Sequence, residues 1–190
     1  MTNFIGEWSN ADRRIKIIKE NKTYKCSFEE DNLGIYFEDH LLISKFKYDE
    51  QGGGVGVYSP IGDGSSNYVL WSSSVITGEL GSGITRKSDG FEGLTGEHNV
   101  TYYVGNNDGT SFKVRISRKS SAIYSLTWYK EDREILHGIG FTIGESLAFA
   151  WGNVDKDYDF ILLSLLGGNQ LQMQEVKWND NFTAEYALSK

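Results

Sequence analysis

The sequence predicts an all-β chain whose antiparallel strands close into a barrel, built from two duplicated β-meander halves with pseudo-twofold symmetry, residues 1–90 and 91–190. Three observations carry this expectation. Glycine is abundant at 22 residues, proline occurs once, and aromatic residues make up 14 % of the chain, the profile of closely spaced strands joined by glycine turns. Apolar runs follow one another at short, even spacing without amphipathic helices between them, which favours an antiparallel meander over a parallel α/β sheet. Finally, the sequence repeats itself. Gly54-Val-Gly-Val-Tyr58 through Trp71 resembles Gly138-Ile-Gly-Phe141 through Trp151, and Phe4-Ile-Gly6-Glu7-Trp8 resembles Leu94-Thr-Gly96-Glu97-His98. Tyr24–Phe28 likewise resembles Phe112–Ile116, and Gly34-Ile-Tyr36 resembles Ala122-Ile-Tyr124, with order preserved throughout.

The first copy opens on Phe4-Ile-Gly6-Glu7-Trp8. Strands are then expected over 15–18, 23–28, 35–37, 41–46, 54–58, 68–72 and 76–80. In the second copy they are expected over 98–104, 111–117, 123–129, 136–142, 146–151, 160–165, 171–178 and 183–187. Single helical turns are expected at most near 10–14 and 180–184. Alternation assigns faces: Tyr124, Leu126 and Trp128 share one side, as do Leu147, Phe149 and Trp151, with Ala148 and Ala150 opposite. Alanine there implies a crowded second face. Gly54 and Gly56, like Gly138 and Gly140, strip one face of side chains, which suits a barrel corner or the close approach of an aromatic ring. The join at 87–93 reads as a loop rather than a spacer, so one domain spanning 1–190 is expected. Closure into a barrel removes the pairing edges such a sheet would otherwise expose; two face-packed sheets are the alternative.

Composition narrows the classes. The formal charge of −7 and the lack of Lys/Arg clusters argue against nucleic acid as a partner. No run of about 18 apolar residues occurs and no basic leader precedes an apolar one, so a soluble, cytoplasmic protein without membrane association is expected. Cys26, the single cysteine, lies on a strand-like alternation and reads as a small buried hydrophobe.

The search for chemistry returns little. His40, His98 and His137 show no metal-ligand spacing, and no zinc set can be assembled locally, so neither a metal nor a cofactor is expected. Asp39, Asp63, Glu79, Asp89, Glu92, Glu97 and Glu145 read as solvated turn carboxylates, because acid/base pairs need a defined separation. Gly105-Asn-Asn-Asp-Gly109 and Gly62–Asn67 match neither a phosphate loop nor a calcium loop and read as hairpin turns. Aromatic residues carry the best binding signal. Trp8, Tyr68, Trp71, His98, Tyr124, Trp128 and Trp151 are the candidate ligand-binding set, with Tyr102 and Phe149 beside them. His98 stands out because its counterpart in the first copy is Trp8.

Gly6-Glu-Trp8-Ser9-Asn10 resembles the first-strand Gly-x-Trp of the calycin superfamily, the lipocalin, fatty-acid-binding and avidin-like barrels, and is nearest to the avidin-like opening strand. The run from Tyr124 to Trp128, Gly138-Ile-Gly140 and Gly144 to Gly152, continued by Gly167 to Trp178, resembles small bacterial β proteins loosely labelled fibronectin-binding. The calycin resemblance implies an eight-stranded or similar barrel holding a small apolar or amphipathic ligand in its mouth, with Ser9 and Asn10 near it in an avidin-like arrangement. The expected function is therefore non-enzymatic binding of a small apolar ligand or a protein partner, with a homodimer allowed. The alternatives are a filled structural barrel, or an enzyme with a mouth site built on His98 or His137 and a carboxylate.

Overall fold

A computed structural model describes residues 3–28, 31–46, 52–62, 65–76, 78–88, 93–155, 158–167, 169–178, 180–181 and 183–190. Asp63, Asp89 and Glu92 lie outside the described residues. The regular structure is entirely strand. The order is β1 (Gly6–Ser9), β2 (Arg14–Glu20), β3 (Thr23–Ser27), β4 (Asp31–Phe37), β5 (His40–Phe46), β6 (Gly54–Ile61), β7 (Ser66–Ser73) and β8 (Gly81–Lys87). It continues with β9 (Gly96–Tyr103), β10 (Thr110–Arg118), β11 (Ile123–Lys130), β12 (Arg133–Ile143), β13 (Ser146–Asn153), β14 (Tyr158–Gly167), β15 (Gln170–Lys177) and β16 (Ala184–Ser189).

The all-β, antiparallel, closed-barrel expectation holds, but the strands close two barrels rather than one. β6 to β13 form a continuous barrel; β1 to β5 and β14 to β16 form a second, split barrel around it in sequence. Eight strands enclose a lumen that side chains can fill, whereas a single barrel of twice that number would enclose a water-filled channel. Of the expected strand at 76–80, the described residues 76 and 78–80 are turn and loop before β8, and β8 itself, Gly81-Ser-Gly-Ile-Thr-Arg-Lys87, was hidden in the sequence by its glycines and polar residues. Around 10–14, Asn10 Oδ1 accepts from the backbone N–H groups of Asp12 and Arg13, forming a turn in place of a helical one.

The duplicated halves are visible in the topology. Each strand of the split barrel has its counterpart eight strands along, β1 with β9 through β5 with β13, while β14 to β16 answer β6 to β8. Each half therefore supplies five strands to one barrel and three to the other. The edge of β5 pairs with β14, and that of β13 with β6, so the halves exchange their last three strands. Setting Trp8 against His98, the residue-by-residue pairing can be followed around both barrels. It closes consistently, with Ser9 opposite Ser189 answering Asn99 opposite Arg86. This register aligns Tyr24, Cys26 and Phe28 with Tyr124, Leu126 and Trp128, not with Phe112–Ile116. It also separates Gly54 from Gly138 and Trp71 from Trp151, which lie on non-equivalent strands of the same barrel.

Three cores follow. Phe4, Trp8, Ile15, Ile17, Cys26, Leu41, Ile43, Leu163, Met173 and Leu188 fill the split barrel. Tyr58, Val69, Val114, Leu126, Trp128 and Phe149 lie inside the continuous one. Between the barrels, Ile35, Leu42, Val55, Val57, Ile139, Phe141, Ala148, Ala150, Phe160 and Leu162 form a shared outer core, with Phe141 and Phe160 5.3 Å apart. β5 and β14 are therefore buried on both faces. This is why Leu41-Leu42-Ile43 and Phe160-Ile161-Leu162-Leu163 are unbroken apolar runs rather than alternating ones. The crowded face that Ala148 and Ala150 implied is this interface. Cys26 is fully buried, and burial pushes its thiol above the ordinary range, in keeping with the hydrophobic reading.

Candidate functional site

In the continuous barrel, large aromatic rings press against glycines on neighbouring strands. A Cβ on Gly81 would stand 2.2 Å from Trp71 Cε2, on Gly54 2.5 Å from Trp151 Cε2, on Gly138 2.8 Å from Trp128 Cη2, and on Gly56 2.8 Å from Phe149 Cζ. All four are closer than side-chain contact permits, so the rings line the wall where these positions are glycine; at Gly54 the Ser72 carbonyl oxygen, 2.4 Å from the same Cβ, excludes a side chain as well. This is the aromatic approach that the paired glycines predicted. Stacked against the wall, the rings leave a cavity of about 440 Å³ at one barrel mouth, a size suited to a small organic ligand.

The cavity is lined by Trp71, Trp128, Trp151, Tyr102, Phe112 and Phe149, with Val75, Val104 and Leu136 among them and Ser73, Asn107, Asp108 and Thr110 as its polar members. Hydrogen bonds hold the walls. Trp71 Nε1 donates to the Ser82 carbonyl at 3.0 Å, and Trp128 Nε1 donates to the Tyr102 hydroxyl at 2.7 Å, which also pairs with the Tyr58 hydroxyl at 2.6 Å. Tyr58 is fully buried, and burial raises both phenols well above their ordinary range, so both are neutral. The Trp71 and Tyr102 rings meet edge to face, 5.7 Å apart at 72°, and Tyr102 and Phe112 lie 6.0 Å apart at 53°.

Of the seven candidate residues, Trp71, Trp128 and Trp151 come together here. Tyr68 points outward and is 48 % exposed. Tyr124 packs in the continuous barrel's core without lining the cavity. Trp8 is buried in the split barrel, its Nε1 donating to the Phe4 carbonyl at 2.8 Å. His98 does the equivalent work in the continuous barrel, its Nε2 lying 3.0 Å from the Leu94 carbonyl, and it too is buried away from the cavity. The contrast between Trp8 and His98 thus falls on a shared architectural bond. Tyr58, Phe112, Leu136 and Asp108 escaped the sequence reading, since only strand pairing shows which aromatic positions share a lumen with which glycines.

His137 hydrogen-bonds Glu134 and stacks on Trp178 at 4.5 Å, but on the seam between the barrels, where it does not line the cavity. Among the described residues no group of three His, Cys, Asp or Glu could hold a metal, and no helix is long and apolar enough to cross a membrane.

The mouth of the split barrel at the corresponding level is built differently. By the same register Glu175 stands for Trp71, Lys45 for Trp151, Phe28 for Trp128 and Arg13 for Phe112, while Asp159, Ala184 and Asn32 replace Gly54, Gly81 and Gly138. Glu175, 3 % exposed, is 3.0 Å from Arg13 and 3.7 Å from Lys45, and Lys45 is 3.9 Å from Asp159. The Arg13 guanidinium lies 3.8 Å over the Tyr186 ring and the Lys45 ammonium 5.6 Å from the Phe28 ring. Burial first, then the Glu175 charge, pushes the Asp159 carboxyl up to about 6, against the opposing pull of Lys45 and Lys177.

Because that folded value exceeds the unfolded one, the native state binds the extra proton, and Asp159 costs stability progressively as pH rises from about 4 through 6. Asp159→Asn is expected to stabilise the protein by about 1–3 kcal/mol at pH 8 and to leave it unchanged near pH 4. Urea midpoints across that range check this; a variant no more stable than wild type at pH 8 refutes it.

Compared with models of known protein families, with curated proteins and with solved structures, the chain matches none.

Proposed function

We propose that the protein is a non-enzymatic binding protein that takes a small apolar or amphipathic ligand into the mouth of its continuous barrel, in the manner of calycin barrels. The observation that carries this reading is the glycine-backed aromatic wall. A barrel that serves only as a scaffold fills its lumen, as the split barrel does with Phe4, Trp8, Met173 and Leu188. Here four glycines are committed to holding rings against the wall, and the ring faces border a cavity of about 440 Å³. Burial of a ligand there is driven by apolar area, with Tyr102 and the rim residues Asn107 and Asp108 available to orient it. A cytoplasmic location is in keeping with a lone, buried thiol.

Titration with the neutral fluorescent probe N-phenyl-1-naphthylamine tests the reading. One probe per chain is expected, with quenching of tryptophan emission. Trp151→Ala is expected to weaken binding about tenfold or more, since it removes one face of the wall. A wild-type protein that does not take up the probe, or a variant that binds it as tightly, would refute the proposal.

A filled structural barrel remains the better description of the split barrel alone, where charged side chains occupy the mouth.

A further inference from the structure

The two mouths suggest what kind of ligand the cavity selects. In the split barrel, side-chain cations sit on aromatic rings and between carboxylates: Arg13 over Tyr186 and against Glu175, Lys45 over Phe28 and beside Glu175 and Asp159. The positions that carry those cations, Arg13 and Lys45, correspond in the continuous barrel to Phe112 and Trp151. The mouth of the continuous barrel instead presents aromatic rings, with Asp108 from the β9–β10 loop beside them, and among the described residues lining the cavity there is no Lys, Arg or His and no second charged side chain.

We propose that the cavity selects an organic cation, an ammonium group carried on an apolar body, over neutral or anionic molecules of the same shape. The inference rests on the binding function proposed above and names its ligand class. Aromatic rings present electron-rich faces, and Trp is the strongest of them towards a cation, more so when water is excluded. Trp71, Tyr102 and Phe112 meet at steep mutual angles, so their faces turn towards more than one side of the space they border. A carboxylate ligand would find no cationic side chain among the described lining residues and would face Asp108, a like charge. A fatty-acid-type anion is accordingly a poor fit. The net charge of −7 adds attraction for a cation at low ionic strength.

The test uses the whole chain and three benzyl probes, benzyltrimethylammonium, its uncharged isostere neopentylbenzene, and the smaller anion phenylacetate, each followed by tryptophan emission and calorimetry. The cation is expected to bind at least tenfold more tightly than the isostere, with phenylacetate weakest. Asp108 is exposed, so Asp108→Asn is expected to leave the fold intact. It should weaken the cation three- to fivefold and lower the ratio of cation to isostere affinity by a similar factor. Raised salt should likewise weaken only the cation. Trp151→Leu should cost the cation more than the isostere, because it replaces an aromatic face with an apolar one. A cation that binds no better than the isostere, or phenylacetate binding as well as the cation, overturns the ligand class while leaving the cavity function standing. If none of the three binds, the cavity function falls with it.

Discussion

Gly140→Ala is expected to destabilise the protein by at least about 3 kcal/mol, while Gly34→Ala, at the topologically equivalent position of the other barrel, is expected to be close to neutral. A Cβ on Gly140 would stand 1.9 Å from the Ala148 carbonyl oxygen and 2.7 Å from Phe149 Cα, and both are backbone, so no side-chain rotation can relieve the clash. The strand pair β12–β13 would have to separate where it also forms the inter-barrel core. On Gly34 the nearest atoms, Cys26 Sγ, Leu41 Cδ1 and Leu42 O, are all at 3.4 Å, an ordinary contact. The smaller entropy of the unfolded alanine chain then offsets what strain remains. Urea unfolding of the two variants measures the difference directly. Equal destabilisation of the two variants would refute this expectation.

The second large effect is at Trp8. Trp8→Ala should cost about 3–5 kcal/mol, because the ring is fully buried in the split barrel and its removal leaves both a void and an unbonded Phe4 carbonyl. Folded Trp8→Ala should nevertheless bind the cavity probe as wild type does, since Trp8 and the cavity belong to different barrels. Fluorescence-detected unfolding and probe titration of the same variant separate the two effects. A fold that survives Trp8→Ala unchanged, or a loss of probe affinity at protein concentrations where the variant is folded, would contradict this division of labour between barrels.

Much of the fold was legible from the residues. Alternation in Tyr124–Trp128 and Leu147–Trp151 named the inward faces, and the alanines between Leu147 and Trp151 announced the second buried face. The glycines spaced two apart announced ring contacts that the structure places at Gly54, Gly56 and Gly138. The duplication was legible too, and its first pair, Trp8 with His98, marks equivalent strands with the same side-chain bond to the carbonyl four residues back. The alignment elsewhere was not. Gly54 resembles Gly138 because both cradle a ring, and Trp71 resembles Trp151 because both rest on a glycine, so shared local chemistry imitated shared ancestry of position. For the site, three of seven candidates reached the cavity, and Asp108 was read only as part of a hairpin turn.

By itself the sequence determined most of the strands, β8 excepted, the buried side of those that alternate, and several of the residues able to form an aromatic wall. These are local matters: side chains alternate along any extended chain, and a glycine announces its missing side chain wherever it stands. Only the tertiary structure decided that the strands close two barrels, that β5 and β13 take their partners from opposite halves, and that one mouth is aromatic while the other is ionic. Backbone edges are chemically alike, so an apolar strand can pair with any similar edge. The partner is chosen by packing on both faces at once, between residues far apart in the chain.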